Sequence, residues 1–176
     1  GDKKILLAVD DTIHSKHAVG YAANISSTVD NLGYTLFFVQ PAISQFLLDE
    51  ARRDMKAKAE LKKLVRKNGE AAQALLEKLK LHMMKKGVAE ERIDLVSQPR
   101  ILGVTKDVLD RAQQGLYDAV VVGRRGLSRI QAAIIGSLTA DLVEHSRVIP
   151  VWVVDSQVKP QKIMLAIDGS ESALRA

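Results

Sequence analysis

Apolar and polar positions along the chain alternate in blocks that predict strands followed by helices. Continuous apolar runs occupy residues 4–10 (KILLAVD), 34–40 (YTLFFVQ), 93–97, 118–122 (DAVVV) and 148–154, and such runs are typical of strands buried on both faces. Between them, apolar residues recur every three or four positions in residues 14–26, 103–116 and 137–146, which predicts helices. A long charged segment is predicted to be helical up to Lys86, where Gly87 ends it, with a mobile stretch before the helix.

This order of elements predicts an α/β fold with a five-stranded parallel sheet and helices on both faces. Parallel strands need right-handed crossovers, and the helices divide between the two faces where the strand order reverses. In such sheets a ligand binds at the carboxyl ends of the strands. We therefore expect a binding site at the rim that gathers Asp10, Gln40, the residues after Ser97 and the loop that follows Val122.

The most informative motif follows the fourth apolar run. Residues 123–137 read GRRGLSRIQAAIIGS, a Gly-x2-Gly-x9-Gly-Ser pattern that leads directly into a predicted helix. Glycine at positions 123, 126 and 136 permits positive φ angles and leaves no Cβ between the backbone and a bound phosphate. The helix start at Ser137 adds free backbone N–H groups and a partial positive charge. The motif predicts a nucleotide site.

Each polar side chain near this site has a structural interpretation beside the functional one. The Asp10 carboxylate can accept hydrogen bonds from a ribose hydroxyl or an adenine amino group, or it can cap the strand end or the first helix. The Ser137 hydroxyl can bind phosphate or serve as an N-cap, and Thr139 is a weaker phosphate candidate. Arg124 and Arg125 can clamp phosphates or point into solvent.

Several kinds of catalytic site are not indicated. The sequence has no GxxxxGK[ST] element, no GxSxG nucleophile elbow and no HExxH pair, and its four histidines are scattered. We therefore assign no catalytic residue, predict no metal site and expect no vigorous ATP hydrolysis. The absence of cysteine excludes a disulfide framework and a thiol nucleophile and fits a reducing cytosol.

Composition and charge are those of a globular protein with one main domain. The chain has 176 residues, 47% of them hydrophobic, and a net charge of +5. Many basic residues lie between Arg52 and Lys86 among leucines at helical spacing, a pattern typical of a solvated helix face. With few aromatic residues for base stacking, nucleic acid is only a minor alternative partner. No run of roughly 18 to 20 apolar residues occurs, so we expect no membrane partner and a cytoplasmic location.

The end of the chain repeats its beginning. Residues 162–176 (KIMLAIDGSESALRA) align on residues 4–18 (KILLAVDDTIHSKHA), with Asp168 aligned on Asp10. We interpret residues 1–155 as one domain, residues 156–161 as a linker, and residues 162–176 as the first strand and partial first helix of a second, incomplete domain. A tandem two-domain parent protein explains the repeat.

The segments KILLAVD, YTLFFVQ and the long glycine motif together resemble the universal stress protein family, in its ATP-binding branch, over residues 3–155. The tail resembles the opening of a second such domain. The resemblance implies a Rossmann-like sheet of the adenine nucleotide alpha hydrolase-like type that binds ATP, ADP or AMP, with or without Mg²⁺. It also implies pairing through Val151–Val154, as a homodimer or between two domains of one chain, and an edge strand this apolar favours such pairing.

The resemblance also implies a set of nucleotide-binding positions. Gln40 matches the position whose backbone meets the adenine edge. The full set is Ala8, Val9, Asp10, Gln40, Gly123, Arg124, Arg125, Gly126, Gly136, Ser137, Leu138 and Thr139. The favoured function is a nucleotide-binding regulatory or sensor protein of the stress response. A slow ATPase or autophosphorylating enzyme and a nucleotide-independent dimeric scaffold stay open as alternatives.

Overall fold

The computed structural model describes residues 2–29, 31–124 and 149–155. The strands are β1 Lys3–Ala8, β2 Leu32–Gln40, β3 Ile93–Pro99, β4 Ala119–Gly123 and β5 Val151–Val154. The helices are α1 Ile13–Ser26, α2 Gln45–Glu50, α3 Met55–Lys85 and α4 Val104–Gln114, and a 3₁₀ turn at Glu90–Arg92 precedes β3. All five predicted strands are present, and three predicted helices correspond to α1, α3 and α4. The helix predicted at residues 137–146 lies outside the described ranges.

The sheet is parallel throughout these five strands, in the order β3-β2-β1-β4-β5. Leu7 of β1 pairs with Leu36 of β2 on one side and with Val121 of β4 on the other. The chain builds outward from β1 through β2 to β3 and then returns to place β4 on the free side of β1. The strand order therefore reverses between β1 and β4, and the predicted α/β fold is confirmed.

Successive side chains of each strand enter two different cores, because a strand alternates its side chains between the faces of the sheet. Leu7 packs with residues of α1 and α3 on one face, including Val19 and Met83. Leu6 packs on the other face with residues that include Phe37 and, from α4, Val108. The helices thus cover both faces, which explains why the strands are apolar without interruption.

The ends of α3 follow from local chemistry. The Asp54 side chain accepts a hydrogen bond of 2.8 Å from the backbone N–H of Ala57 and caps the first turn. At the other end Gly87 has φ +96, the left-handed conformation that ends many helices. The stretch expected to be mobile before this helix contains the short helix α2, which begins after a second N-cap at Ser44.

Candidate functional site

An open cleft lies at the carboxyl ends of β1, β2 and β4, where the strand order reverses. It is open to solvent and is lined by residues from three strands, from the loop into α1 and from the start of α4. The lining residues are Ala8, Val9, Asp10, Thr12, His14, Ser15, Phe37, Val39, Val104, Thr105, Val108, Val122 and Gly123. Most walls are apolar, and the polar groups concentrate where β1 leads into α1. This combination suits a ligand with a flat apolar part and a polar or charged part.

Asp10 follows β1 and is held in one orientation by two hydroxyl groups. Thr12 and Ser15 both donate hydrogen bonds to Asp10 Oδ1, the one from Ser15 measuring 2.8 Å. The Ser15 hydroxyl in turn accepts the backbone N–H of Asp10 at 2.7 Å, and Ser15 is only 3% exposed. Among the described residues, nothing donates to the second carboxylate oxygen, Oδ2, and no helix N–H bonds to this side chain. Asp10 therefore does not cap α1, and Asp10 itself lines the cleft.

Gly123 ends β4 and is required there by close packing. A Cβ on Gly123 would lie 2.7 Å from both the carbonyl carbon and the oxygen of His14, and 2.8 Å from the His14 Cβ. The first turn of α1 thus presses directly on the end of β4. Among the described glycines, only Gly87 and Gly103 have positive φ. Gly123 therefore does not use the positive φ that the sequence argument invoked, and an α1 contact explains the missing side chain.

Arg124 forms an ion pair at the edge of the site. Its Nη1 lies 3.0 Å from Asp155 Oδ1, and the two side chains are 67% and 60% exposed. Gly123 pairs with Val154 in the sheet, so the parallel register places residues 124 and 155 side by side. Asp155 was missed in the sequence, since only the pairing of β4 with β5 brings it to Arg124. Arg124 is not among the residues that line the cleft.

Gln40 ends β2 and is 8% exposed. Its Nε2 donates a hydrogen bond of 2.9 Å to Ser97 Oγ on β3. The side chain therefore links two strands just behind the rim, while the preceding Val39 lines the cleft itself. This use of the side chain was not anticipated from the sequence.

The start of α4 forms the third wall of the cleft, and hydrogen bonds hold the loop that leads into it. Gly103 adopts φ +127 and ψ 152, a conformation open in practice only to glycine. The buried Asp107 carboxylate accepts the backbone N–H groups of Ile101 and Leu102, each at 2.9 Å. These bonds hold the loop so that Thr105 faces the cleft. Sequence reasoning placed the residues after Ser97 at the rim but missed Asp107, although an acidic residue in the first turn after a glycine is a usable signal.

The rest of the glycine motif lies outside the described residues. This applies to Arg125, Gly126, Gly136, Ser137, Leu138 and Thr139, and also to the repeat at residues 162–176. In the part of the chain that the structure describes, no group of three or more His, Asp or Glu side chains is arranged to hold a metal ion. None of the helices in these ranges is long and apolar enough to cross a membrane.

Comparisons with known proteins agree with this architecture. A universal stress protein family member from Burkholderia pseudomallei has a TM-score of 0.59 at 16% identity, covering 86% of this chain and 95% of its own. A universal stress protein in complex with cAMP has a TM-score of 0.55 at 20% identity, covering 88% and 97%. A family protein from Arabidopsis thaliana with AMP bound has a TM-score of 0.54 at 18% identity, covering 88% and 92%.

No curated protein matches the chain significantly. At the identities of the solved structures, the likeness concerns the fold alone. The model of the universal stress protein family, however, matches residues 2–155, which is most of the sequence. The chain therefore belongs to the universal stress protein family.

Proposed function

We propose that this protein binds an adenine nucleotide, ATP, ADP or AMP, in the cleft and acts as a nucleotide-dependent regulatory or sensor protein of the stress response. The observation that carries the proposal is the Asp10 carboxylate, which is oriented by Ser15 and Thr12 and lines the cleft at the point where the strand order reverses. This point is where open parallel sheets bind nucleotides. The AMP and cAMP complexes of family members with the same fold support the ligand class.

The cleft offers distinct surroundings for the parts of a nucleotide. Phe37, Val39 and Val108 provide apolar surface for the base. Asp10 Oδ2 accepts a hydrogen bond from a ribose hydroxyl, and a charged acceptor makes such a bond stronger than a neutral one. The backbone near Gln40 meets the adenine edge. The glycine motif from Gly123 to Ser137, which the sequence predicts to lead into a helix, holds the phosphates through backbone N–H groups and the Ser137 hydroxyl.

Arg124 joins the phosphate contacts by exchanging partners. Its ion pair with Asp155 is exposed to solvent, and such pairs contribute only about 0–1 kcal/mol to stability. A phosphate group offers the guanidinium more charge and two acceptor oxygens at fork spacing. The exchange would break the ion pair between Arg124 and Asp155 when nucleotide binds. Asp155 directly follows β5 Val151–Val154, so this strand would lose a contact in the bound state.

Binding without rapid turnover is the form of this function that the lining residues favour. The described lining includes one carboxylate, Asp10, and no lysine or arginine. Phosphoryl transfer needs a group that positions the attacking nucleophile, and from the sequence we assign no residue to that role. Steady-state phosphate release separates the two alternatives: sustained turnover would favour the ATPase.

We further propose that Val151–Val154 pairs with a second copy or with the second domain of a tandem parent protein. β5 is the edge strand among the described strands, and its Trp152 is 39% exposed. Exposed apolar edges are prone to pair with other strands. Sedimentation that gives a strict monomer at micromolar concentration would contradict pairing of this 176-residue chain. The zero cysteine count supports a cytoplasmic location.

Calorimetric titration with ATP, ADP and AMP tests the nucleotide proposal. Asp10→Asn keeps the shape but removes the charge, and we expect roughly 10- to 100-fold weaker binding, since bonds to charged groups contribute about 1.5–3 kcal/mol. Asp94→Asn on the exposed side of β3 is the matched control and should bind like the wild type. Absence of heat and of any thermal shift at millimolar nucleotide would refute the proposal. Full affinity in Gly136→Val would refute the phosphate role of the loop.

A further inference from the structure

Residues 41–71 form a helical arm that extends away from the domain core. It contains α2, the turn at residues 51–54 and the first 17 residues of α3, and none of these described residues is buried. Burial on α3 begins at Ala72 and continues at Leu76, Leu79 and Met83. At 1.5 Å per residue, the unburied part of α3 is about 25 Å long. We call this segment, residues 41–71, the α2–α3 arm.

The arm has a defined shape although it lacks a core. Ser44 Oγ accepts the Leu47 N–H at 3.2 Å at the start of α2, and Asp54 caps α3. α2 contacts α3, and the turn at residues 51–54, which joins the two helices, is called the tip of the arm. Helices in proteins owe most of their stability to packing of an apolar face, and an arm with no buried residue is therefore suited to contact with another surface.

Positive charge is concentrated on this arm. Residues 52–67 contain eight basic and two acidic side chains, a net charge of +6 in a chain whose total is +5. Arg52 and Arg66 lie 3.9 Å and 3.8 Å from Asp49 and Glu70, in pairs that are largely exposed and therefore weak. The other six have no carboxylate partner among the described residues. Asp49, Glu50 and Glu70 reduce the net charge of the whole arm to +3. The cationic part of the arm is therefore the start of α3, where residues 56–67 contain six basic side chains and one acidic side chain.

Two large apolar side chains of the arm are exposed, one near the start of α2 and one at the start of α3. Phe46 is 75% exposed and Met55 is 78% exposed, among the highest values for large hydrophobic residues in the described ranges. They lie on either side of the turn that carries Arg52 and Arg53. Exposed apolar side chains set among basic ones are the composition of helices that lie in a membrane interface.

We propose that the tip of the α2–α3 arm binds the surface of an anionic phospholipid membrane. Phe46 and Met55 enter the boundary between headgroups and acyl chains, and the surrounding lysines and arginines contact the negative headgroups. A second copy that met this one at the same basic stretch is disfavoured as the occupant, because residues 56–67 would bring a charge of +5 against +5. A nucleic-acid duplex satisfies the charge but offers no apolar layer to Met55. The inference does not depend on nucleotide in the cleft, and it concerns surface attachment only.

The first experiment is co-sedimentation of the whole chain with phosphatidylcholine vesicles, with and without an equal part of phosphatidylserine. We expect binding to the anionic vesicles alone, weakened by salt. Arg53→Gln with Lys56→Gln should reduce the affinity about 30-fold, since each basic residue near an anionic surface contributes about fivefold. As a control, Lys78→Gln with Lys85→Gln removes the same charge at a distance of about 35 Å or more from the tip along α3, which is several Debye lengths. This control should change the affinity for anionic vesicles less than about threefold.

The second experiment reports insertion directly. Because the chain has no cysteine, Met55→Cys and, as a control, Ala74→Cys each provide one site for a fluorophore that responds to polarity. Anionic vesicles should shift the emission at position 55 to the blue and leave that at position 74 unchanged. Phe46→Ser with Met55→Ser should weaken vesicle binding at least about tenfold without changing the circular dichroism, since both side chains are exposed.

Three results would overturn the proposal. One is no binding to anionic vesicles, and another is equal loss of binding in the Lys78 and Lys85 control. The third is an unchanged emission at position 55 on bound vesicles. Tight binding to a DNA duplex that is insensitive to Phe46→Ser and Met55→Ser, together with no vesicle binding, would assign the arm to nucleic acid instead.

Discussion

Replacing Gly123 with alanine separates two reasons for a glycine at the end of β4. The added Cβ would lie 2.7 Å from the backbone carbon and oxygen of His14, closer than a real Cβ contact. Backbone atoms cannot rotate away as a flexible side chain can, so α1 or β4 has to shift. Overpacking of this kind typically costs about 1–3 kcal/mol. The stiffer unfolded chain returns about 0.4–1 kcal/mol, and we expect a net loss of about 1–2 kcal/mol.

The measurement is urea unfolding of the nucleotide-free protein, followed by thermal unfolding. For a chain of this length, each kcal/mol corresponds to about 2–4 °C in the melting temperature. Gly69→Ala is the matched control, because it lies inside α3 with no atom within 4 Å of the added Cβ. Alanine is the better helix former, so the control should gain about 0.5–1 kcal/mol. The two identical substitutions should therefore change stability in opposite directions.

A phosphate-only role for Gly123 makes a different prediction. In that case Gly123→Ala would unfold at the wild-type urea concentration without nucleotide and would lose only nucleotide affinity. This outcome would refute the packing explanation. A loss of stability in the nucleotide-free protein would instead show that α1 and β4 require glycine before any ligand is bound.

Three further substitutions test other contacts of the site and the core. Ser15→Ala leaves the Asp10 N–H without its partner and should cost about 1–3 kcal/mol in urea unfolding, with weaker nucleotide binding; unchanged stability would contradict the hydrogen-bond assignment. Asp107→Asn replaces one acceptor oxygen with a donor and should speed chymotrypsin cleavage after Leu102; an unchanged cleavage rate would contradict the role of Asp107 in holding the loop. Burial, with three nearby lysines, lowers the pKa of His82 below its ordinary value of 6.5. The unfolded chain then binds the proton more readily, so stability should fall as pH drops below about 6.5, and His82→Gln should flatten that dependence.

The strands were predictable from residues that are neighbours in the sequence. The apolar run at residues 118–122 corresponds to β4 Ala119–Gly123, and the run at residues 34–40 corresponds to β2 Leu32–Gln40. Helix α3 ends where Gly87 predicts. These features depend on side-chain period and on the φ angles that one residue allows, which are local properties. Among the described elements, α2 and the 3₁₀ turn at Glu90–Arg92 were missed, because short helical segments with no buried side chain leave little periodic signal.

The position of the candidate cleft was predictable, but the contacts within it were not. Once the sheet was known to be parallel, Asp10 and the end of β4 had to meet at the carboxyl rim. The hydrogen bond from Ser15 to Asp10, and the one that Asp107 accepts from the loop before α4, could not be predicted. Both depend on the direction in which a side chain points. The role of Gln40 as a link to Ser97 depends on which strand lies beside β2.

The amino-acid sequence by itself determined the α/β class, the number of strands and the rim where the site lies. The tertiary structure decided why position 123 is glycine, which partner Arg124 has and that residues 41–71 stand outside the core. The division has a physical reason. Periodicity and helix ends are set within a few residues of the chain, whereas an atom 2.7 Å away can belong to a residue more than a hundred positions distant, as His14 is from Gly123.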